Sequence, residues 1–333
     1  MTGATGPAGP APPVRHDVLV VGAGLAGVAC AGALETAGVP VRVLERSGGP
    51  GGRLASPPLH GRPVDMGAAY FTASDDEFSA QVQDWVSRGL VTPWTDTLAA
   101  RSDDGSWTTA RGPQRYGAPD GLRSLVADLA EGLRIETRRT VSAVTPGPAV
   151  DGEPACAVVL AMPDPQAARL LTAGLRAAEV VAGRAWEPVI AVALGFARRT
   201  WDELPAAFVN GHPDVALIAD DGSRRGDGAA VLVAHTTNDL ARRHLDDPDA
   251  VIAPVTDAVV ELLGLPEHPT WTHAHRWRFA SPDRPHEPGE NSPFHFDDDL
   301  VGVAGDGWGS PRVETAWRSG TLLGRAIAAR VTC

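Results

Sequence analysis

The chain contains no lysine, so all 29 of its basic side chains are arginine. That excludes a Schiff-base amine and any other chemistry that needs a lysine. Cysteine is scarce. Cys30, Cys156 and Cys333 are odd in number and show neither metal nor redox spacing. Cys30 falls on the first expected helix and Cys156 at the head of an apolar strand, so both read as inert core thiols. There is no HExxH, no evident catalytic triad and no His/Cys cluster. His273 and His275 alternate on one expected strand, but no third ligand is spaced to join them, and no metal is expected. No apolar run is long enough to span a bilayer. The first dozen residues, rich in Gly, Ala and Pro, lack the apolar core of a signal peptide. The expected compartment is the cytoplasm. The net charge of −12 with dispersed arginines argues against nucleic acid or an anionic membrane as a partner and leaves a small-molecule substrate.

What the chain does have is a complete strand–turn–helix–strand unit. Asp17–Val21 is apolar, Gly22-Ala23-Gly24-Leu25-Ala26-Gly27 follows it, and an Ala-rich amphipathic stretch runs to about Ala37. Val39–Leu44 then reads as a second strand ending in Glu45. In this arrangement Gly22 makes the tight turn, Gly24 lets the backbone approach a pyrophosphate, and Gly27 lets the helix pack on the strand. Leu25 and Ala26 open the helix, whose free N–H groups and positive dipole end suit a phosphate. Glu45 stands where a carboxylate accepts hydrogen bonds from both ribose hydroxyls, which favours FAD or NAD over NADP. An ordinary tight turn in a βαβ unit is the plainer alternative.

Later segments separate these dinucleotides. Arg46-Ser47-Gly48-Gly49-Pro50-Gly51-Gly52-Arg53 reads as a flexible loop whose amides and guanidinium groups reach the same pyrophosphate. Gly67-Ala68-Ala69, between Asp65 and Tyr70, suits a backbone lying flat against a ring system. Val301–Ala304 followed by Gly305-Asp306 suits an aspartate bonded to a sugar alcohol chain. Ser310 is a good N-cap and Pro311 a good first helical residue. The helix that follows, entered through Arg312 and Val313, is placed to aim its dipole at the pyrimidine side of a flavin.

These segments, with Pro113-Gln114-Arg115-Tyr116, His235, His275-x-Trp277-Arg278-Phe279-Ala280 and Ser319-Gly320, resemble the FAD-dependent amine oxidase superfamily, and within it the renalases and their bacterial relatives. The resemblance spans almost the whole chain in the family's order. It implies FAD as cofactor, with Val141 offering backbone amides to adenine. It also marks departures. Ala69 stands where the family usually has Gln, and Leu240 lies where a Trp is usual. No cysteine is near Gly305 to make the cysteinyl link found elsewhere in the superfamily, so FAD is expected without a covalent bond. The lysine that assists flavin chemistry in many amine oxidases cannot be present.

The expected fold is α/β, with a Rossmann-type FAD/NAD(P)-binding domain interleaved with a mostly antiparallel α+β substrate domain. Residues 1–13 read as a disordered tail. Residues 14–75, 118–165 and 290–330 are expected to build the FAD-binding domain, and 76–117 with 166–289 the substrate domain. Helices are expected over Asp75–Arg88, Gly121–Glu131 and Ala250–Leu263, and strands over Leu133–Glu136, Thr140–Val144 and Cys156–Ala161. Asp297–Asp299 reads as a solvated turn.

Hydride transfer to a flavin needs a flat donor, held close in a dry site, and little acid–base help. His235, Trp277 and Arg278 are the candidate catalytic residues. Trp277 and Phe279 share a face with His275, while Arg276 and Arg278 lie opposite, and either face can be the one turned to substrate. A half-buried strand of core aromatics fits the same pattern. The expected activity is a flavoprotein oxidase taking a hydride from a reduced nicotinamide-type or other cyclic amine donor, a dihydronicotinamide being one candidate, and passing electrons to O2. The alternative is an amine oxidase or desaturase acting on a small specialised metabolite.

Overall fold

The computed structural model describes residues 16–201, 203–286, 293–331 and 333. The expected tail at 1–13 lies outside the described residues. Val18–Val21 and Ala157–Leu160 are buried at every position, which demands cover on both faces and marks the centre of a parallel sheet. That sheet runs His295–Phe296, Val301–Val303, Ala157–Leu160, Val18–Val21, Val41–Glu45, Ile135–Thr137. All its pairings are parallel except the edge strand His295–Phe296. The closing helix, Val313–Arg330, lies against the first helix, Leu25–Thr36, through glycines. A Cβ at Gly320 would stand 2.0 Å from the Ala26 carbonyl oxygen, and one at Gly324 2.5 Å from that of Cys30.

The second sheet has seven strands in the order Trp271–Pro282, Trp186–Gly195, Val231–Thr236, Val215–Asp220, Ala206–Val209, Thr92–Arg101, Trp107–Gly117. Only Ala206–Val209 and Thr92–Arg101 pair in parallel. Alternation assigns its faces. Ile190, Val192 and Leu194 enter the core under the helix Ile252–Leu263, whereas Ala191 and Ala193 turn the other way, toward Val64 and Met66. The fold is therefore α/β, with a Rossmann-type sheet interleaved with a mostly antiparallel sheet.

Several expectations need correction. The helix Asp76–Ser87 buries Phe78, Val82 and Trp85 in the core beside the parallel sheet, and Leu171, Leu175 and Val181 pack on that sheet's other face. Parts of 76–117 and 166–289 thus belong by packing to the nucleotide-binding side. Residues 140–143 form no strand, because the Ser142 and Ala143 amides go to the Asp151 carboxylate. The closing helix begins at Val313 with Arg312 as N-cap, not at Ser310, whose carbonyl accepts from Thr315. Cys156 is not a free thiol: it forms a disulfide with Cys333, while Cys30 remains a buried thiol. Asp297–Asp299 is not a freely solvated turn, since Asp297 is buried against His295 and Asp299 accepts from the Arg176 amide.

Candidate active site

A cleft of about 1650 Å³ runs between the two sheets. Two helix N-termini open into it. Neither Gly24 nor Arg312 caps its helix with a side chain, and the first turn of Leu25–Thr36 has no acid. Glu314, in the first turn of the closing helix, is turned away and accepts from the Ser74 and Asp75 amides at 2.7 and 3.0 Å. Free N–H groups and positive dipole ends of both helices therefore face the cleft. Gly22, Gly24, Leu25 and Ala26 line it, with Arg46, Gly52, Val141, Gly305, Arg312 and Val313. Gly27 is set back from the wall: a Cβ there would lie 1.9 Å from the Gly22 oxygen, so its role is packing.

Glu45 holds the two glycine-rich turns together. One oxygen accepts from the Ala23 amide at 2.8 Å and the other from the Ser47 amide at 2.7 Å. The Gly48–Gly52 loop is pinned rather than loose, since Gly51 donates to the Ala23 carbonyl and Arg123 to that of Pro50. Arg53 makes a bidentate pair with Asp306 at 2.8 and 2.5 Å and also reaches the Ala280 carbonyl at 2.9 Å. Those contacts join the N-terminal loop, the last strand of the second sheet and the C-terminal Gly-Asp turn.

The segment Gly67–Ala69 forms a strap along the middle of the cleft. Gly67 is required there: a Cβ would stand 1.9 Å from the Arg53 carbonyl oxygen. Trp277 packs across Gly67 and donates its indole N–H to the Met66 carbonyl at 2.6 Å. Ala69 is fixed by its carbonyl, which accepts from Arg224. Arg224 and Arg225 are buried with Asp221 and Asp65, and Asp65 in turn accepts from Ser56 and the Leu122 amide. A buried ion cluster thus anchors the strap to the short helix Asp221–Arg225.

Facing the strap, His275, Ala191, His235 and Leu217 stand in register across four adjacent strands, with Phe208 opposite Leu217. Desolvation, helped by the Arg224 charge, pushes the pKa of His235 down to about 4, against a hydrogen bond with the Gly67 backbone that raises it. His235 is therefore neutral at physiological pH, and its Nε2 is buried without a partner. Burial and the neighbouring His273 and Arg276 also lower the pKa of His275. The face of His275 and Trp277 is the one turned inward. The Arg278 guanidinium is exposed and paired with Asp246 at 3.2 Å. Among the described residues only Glu45 and Asp306 contribute carboxylates to the cleft wall, whereas Arg46, Arg53, Arg115, Arg123, Arg139, Arg169 and Arg312 border it.

The model of the flavin containing amine oxidoreductase family matches residues 87–327, and that of an NAD(P)-binding Rossmann-like domain matches residues 20–88. The chain belongs to the flavin-containing amine oxidoreductase family. Its fold is similar to that of a putrescine oxidase, with a TM-score of 0.74 and 16% identity over 95% of this chain and 100% of the other. A cyclohexylamine oxidase from Brevibacterium oxydans is alike to the same degree, with a TM-score of 0.74 and 16% identity over 95% of this chain and 99% of that one. A hydroxyneurosporene desaturase from Rubrivivax gelatinosus is 41% identical over 63 residues, 19% of this chain. That match spans 12% of the desaturase's length.

This amine oxidoreductase is accordingly an FAD-dependent enzyme, and its cleft suits the cofactor. Two uncapped helix N-termini offer N–H groups to phosphates and to a flavin ring. Arginines flank a wall poor in acid, as a pyrophosphate requires. Sequence reasoning misses the Arg224–Asp221 cluster. Its signal is present as Asp220-Asp221-Gly-Ser-Arg224-Arg225, where i,i+3 and i,i+4 spacing pairs Asp221 with both arginines. Sequence reasoning also misses Phe208 and Leu217, which only strand register brings to the wall. Among the described residues no helix is long and apolar enough to cross a membrane.

Proposed function

We propose that this enzyme is a renalase-like oxidase that takes a hydride from a reduced nicotinamide-type or related cyclic amine donor. Gly22, Gly24, Leu25, Ala26, Glu45, Arg46, Gly52, Arg53, Val141, Gly305, Asp306, Arg312 and Val313 would hold FAD, with Gly67–Ala69 beneath its ring. Bound FAD supplies hydride acceptance from the donor carbon and two-electron delivery to O2, with hydrogen peroxide as product.

The observation that carries this reading is the wall opposite the strap. It is built of Trp277, Val189, Leu217 and two histidines, with no lysine and, among the described residues, no carboxylate. A flat donor stacks on such a wall with water excluded, and the wall has no charged base to take a proton from an ammonium group. His235, kept neutral, offers its buried Nε2 as a polar contact that orients the donor without placing a charge beside the transferring hydride. Trp277 acts as a rigid side of the slot because its N–H is tied to Met66.

An amine oxidase or desaturase remains the second reading, supported by the fold shared with putrescine and cyclohexylamine oxidases and by the short desaturase match. Anaerobic mixing separates the two. Bleaching of the flavin by dihydronicotinamides, followed by peroxide release on admission of O2, is expected. Bleaching by amines alone would replace this reading with the second.

A further inference from the structure

One end of the donor wall carries a guanidinium without a counter-ion. Arg115, on the strand Trp107–Gly117, lies over the Tyr70 ring at 5.5 Å from its centroid. Its Nη1 donates to the carbonyls of Asp96 and Pro113 at 3.0 and 3.1 Å, and its Nε is buried with no partner. Among the described residues no carboxylate pairs with it. The Asp96 carboxylate beside it is taken by Arg111 at 2.6 Å. Elsewhere the fold neutralises its buried guanidinium groups: Arg224 and Arg225 both meet Asp221. Carbonyl dipoles fix the plane of Arg115 but leave its charge uncompensated. A partly buried, uncompensated cation is costly, and an anion entering the cleft removes that cost. The cleft's own carboxylates are already committed, Glu45 to two amides and Asp306 to Arg53.

We propose that Arg115 receives an anionic group of the donor, a carboxylate or a phosphate, and thereby selects anionic donors over cationic amines. The proposal rests on the reading of the His235–Trp277 wall as the donor-facing side. With Nη1 taken by the two carbonyls and Nε buried, Nη2 is the group left to donate to either anion, and Tyr70 stacks beneath the guanidinium to hold its plane. Phe208 and Leu217, on the same side of the cleft, leave an apolar space for the ring that bears the anion.

The test titrates the holoenzyme with benzoate, phenyl phosphate, neutral benzamide and benzylamine, and reads the perturbation of the flavin absorption band. The two anions are expected to bind at least tenfold more tightly than benzamide, with benzylamine weakest. Whichever anion binds better identifies the donor's group. Arg115→Gln should abolish that preference, and Arg115→Lys should restore part of it. The proposal is overturned by a wild-type enzyme with no anion preference, by benzylamine binding most tightly, or by an Arg115→Gln variant whose preference is unchanged. Equal weakening of benzoate and benzamide in both variants would show a structural role only, and would also overturn it. If the anion preference depends on Arg115 yet no dihydronicotinamide bleaches the flavin, the donor reading fails while the anion site stands. Bleaching by dihydronicotinamides with a preference indifferent to Arg115 would overturn the anion site and leave the donor reading standing.

Discussion

Asp221→Ala should unfold this enzyme more easily than any other single change beneath the strap. Asp221 is fully buried and accepts from Arg224, from Arg225 at 3.1 Å and from Arg62 at 2.6 Å, as well as from the Asp65 amide at 3.3 Å. Burial would raise its pKa, but the charges of Arg224, Arg225 and Arg62 outweigh burial and hold it below the ordinary carboxylate value, so it is ionised in the native state. Asp65 is the other buried acid near Arg224 and Arg225, at 3.5 and 3.3 Å. Removing Asp221 leaves two buried guanidinium groups sharing one carboxylate. Breaking a buried pair in this way costs about 3–5 kcal/mol, because a desolvated charge remains. Asp221→Asn keeps the shape and some hydrogen bonds and should cost less, about 2–3 kcal/mol. Because Arg224 also holds the Ala69 carbonyl, the damage should reach the flavin: FAD affinity should fall in both variants. Urea unfolding at fixed FAD concentration, with FAD titration of the apoprotein, measures both effects. A loss below about 1 kcal/mol in Asp221→Ala would refute the reasoning, since the cluster would then be solvated or its charges otherwise compensated.

Glu45→Ala should raise the Kd for FAD by about tenfold to ten-thousandfold, through one or two lost charge-assisted bonds of about 1.5–3 kcal/mol each; Glu45→Gln should lose less, and unchanged affinity in both would show that Glu45 is no ribose ligand. The native state keeps His235 unprotonated down to about pH 4, whereas the unfolded chain takes that proton near 6.5. Stability should therefore fall as pH drops below about 6.5, by about 2 kcal/mol from this group at pH 5. His235→Gln should lack that increment, and parallel pH profiles for the two proteins would contradict the burial. Cys333→Ser removes the link between the end of the closing helix and the strand Ala157–Leu160, which should lower stability by about 2–4 kcal/mol. An equal change on adding reductant to the parent protein is expected, and no change in either sample would mean that the pair is unbonded in solution.

The βαβ unit was legible in the sequence because its signals are local. Gly22, Gly24, Gly27 and Glu45 act through turn geometry and helix ends that a short stretch of chain specifies by itself. The helix expected over Asp75–Arg88 was legible for the same reason, since its apolar spacing is local. The start of the closing helix was misplaced because Ser310 and Pro311 are good starting residues wherever a helix begins, and packing against Leu25–Thr36 decided the rest. Nothing along the chain says that Cys156 and Cys333 meet, since 177 residues separate them. Nor does it say which face of Trp271–Pro282 turns inward. Alternation offers two faces, and only the pairing of Ala191 with both His275 and His235 chooses the face of Trp277 and sends Arg278 to solvent. The sequence by itself determined the cofactor end of this protein. The wall facing the strap, with its neutral histidine, and the Arg115 and buried-ion-cluster environments were decided by tertiary structure, because burial and strand register set those charges and no local pattern encodes either.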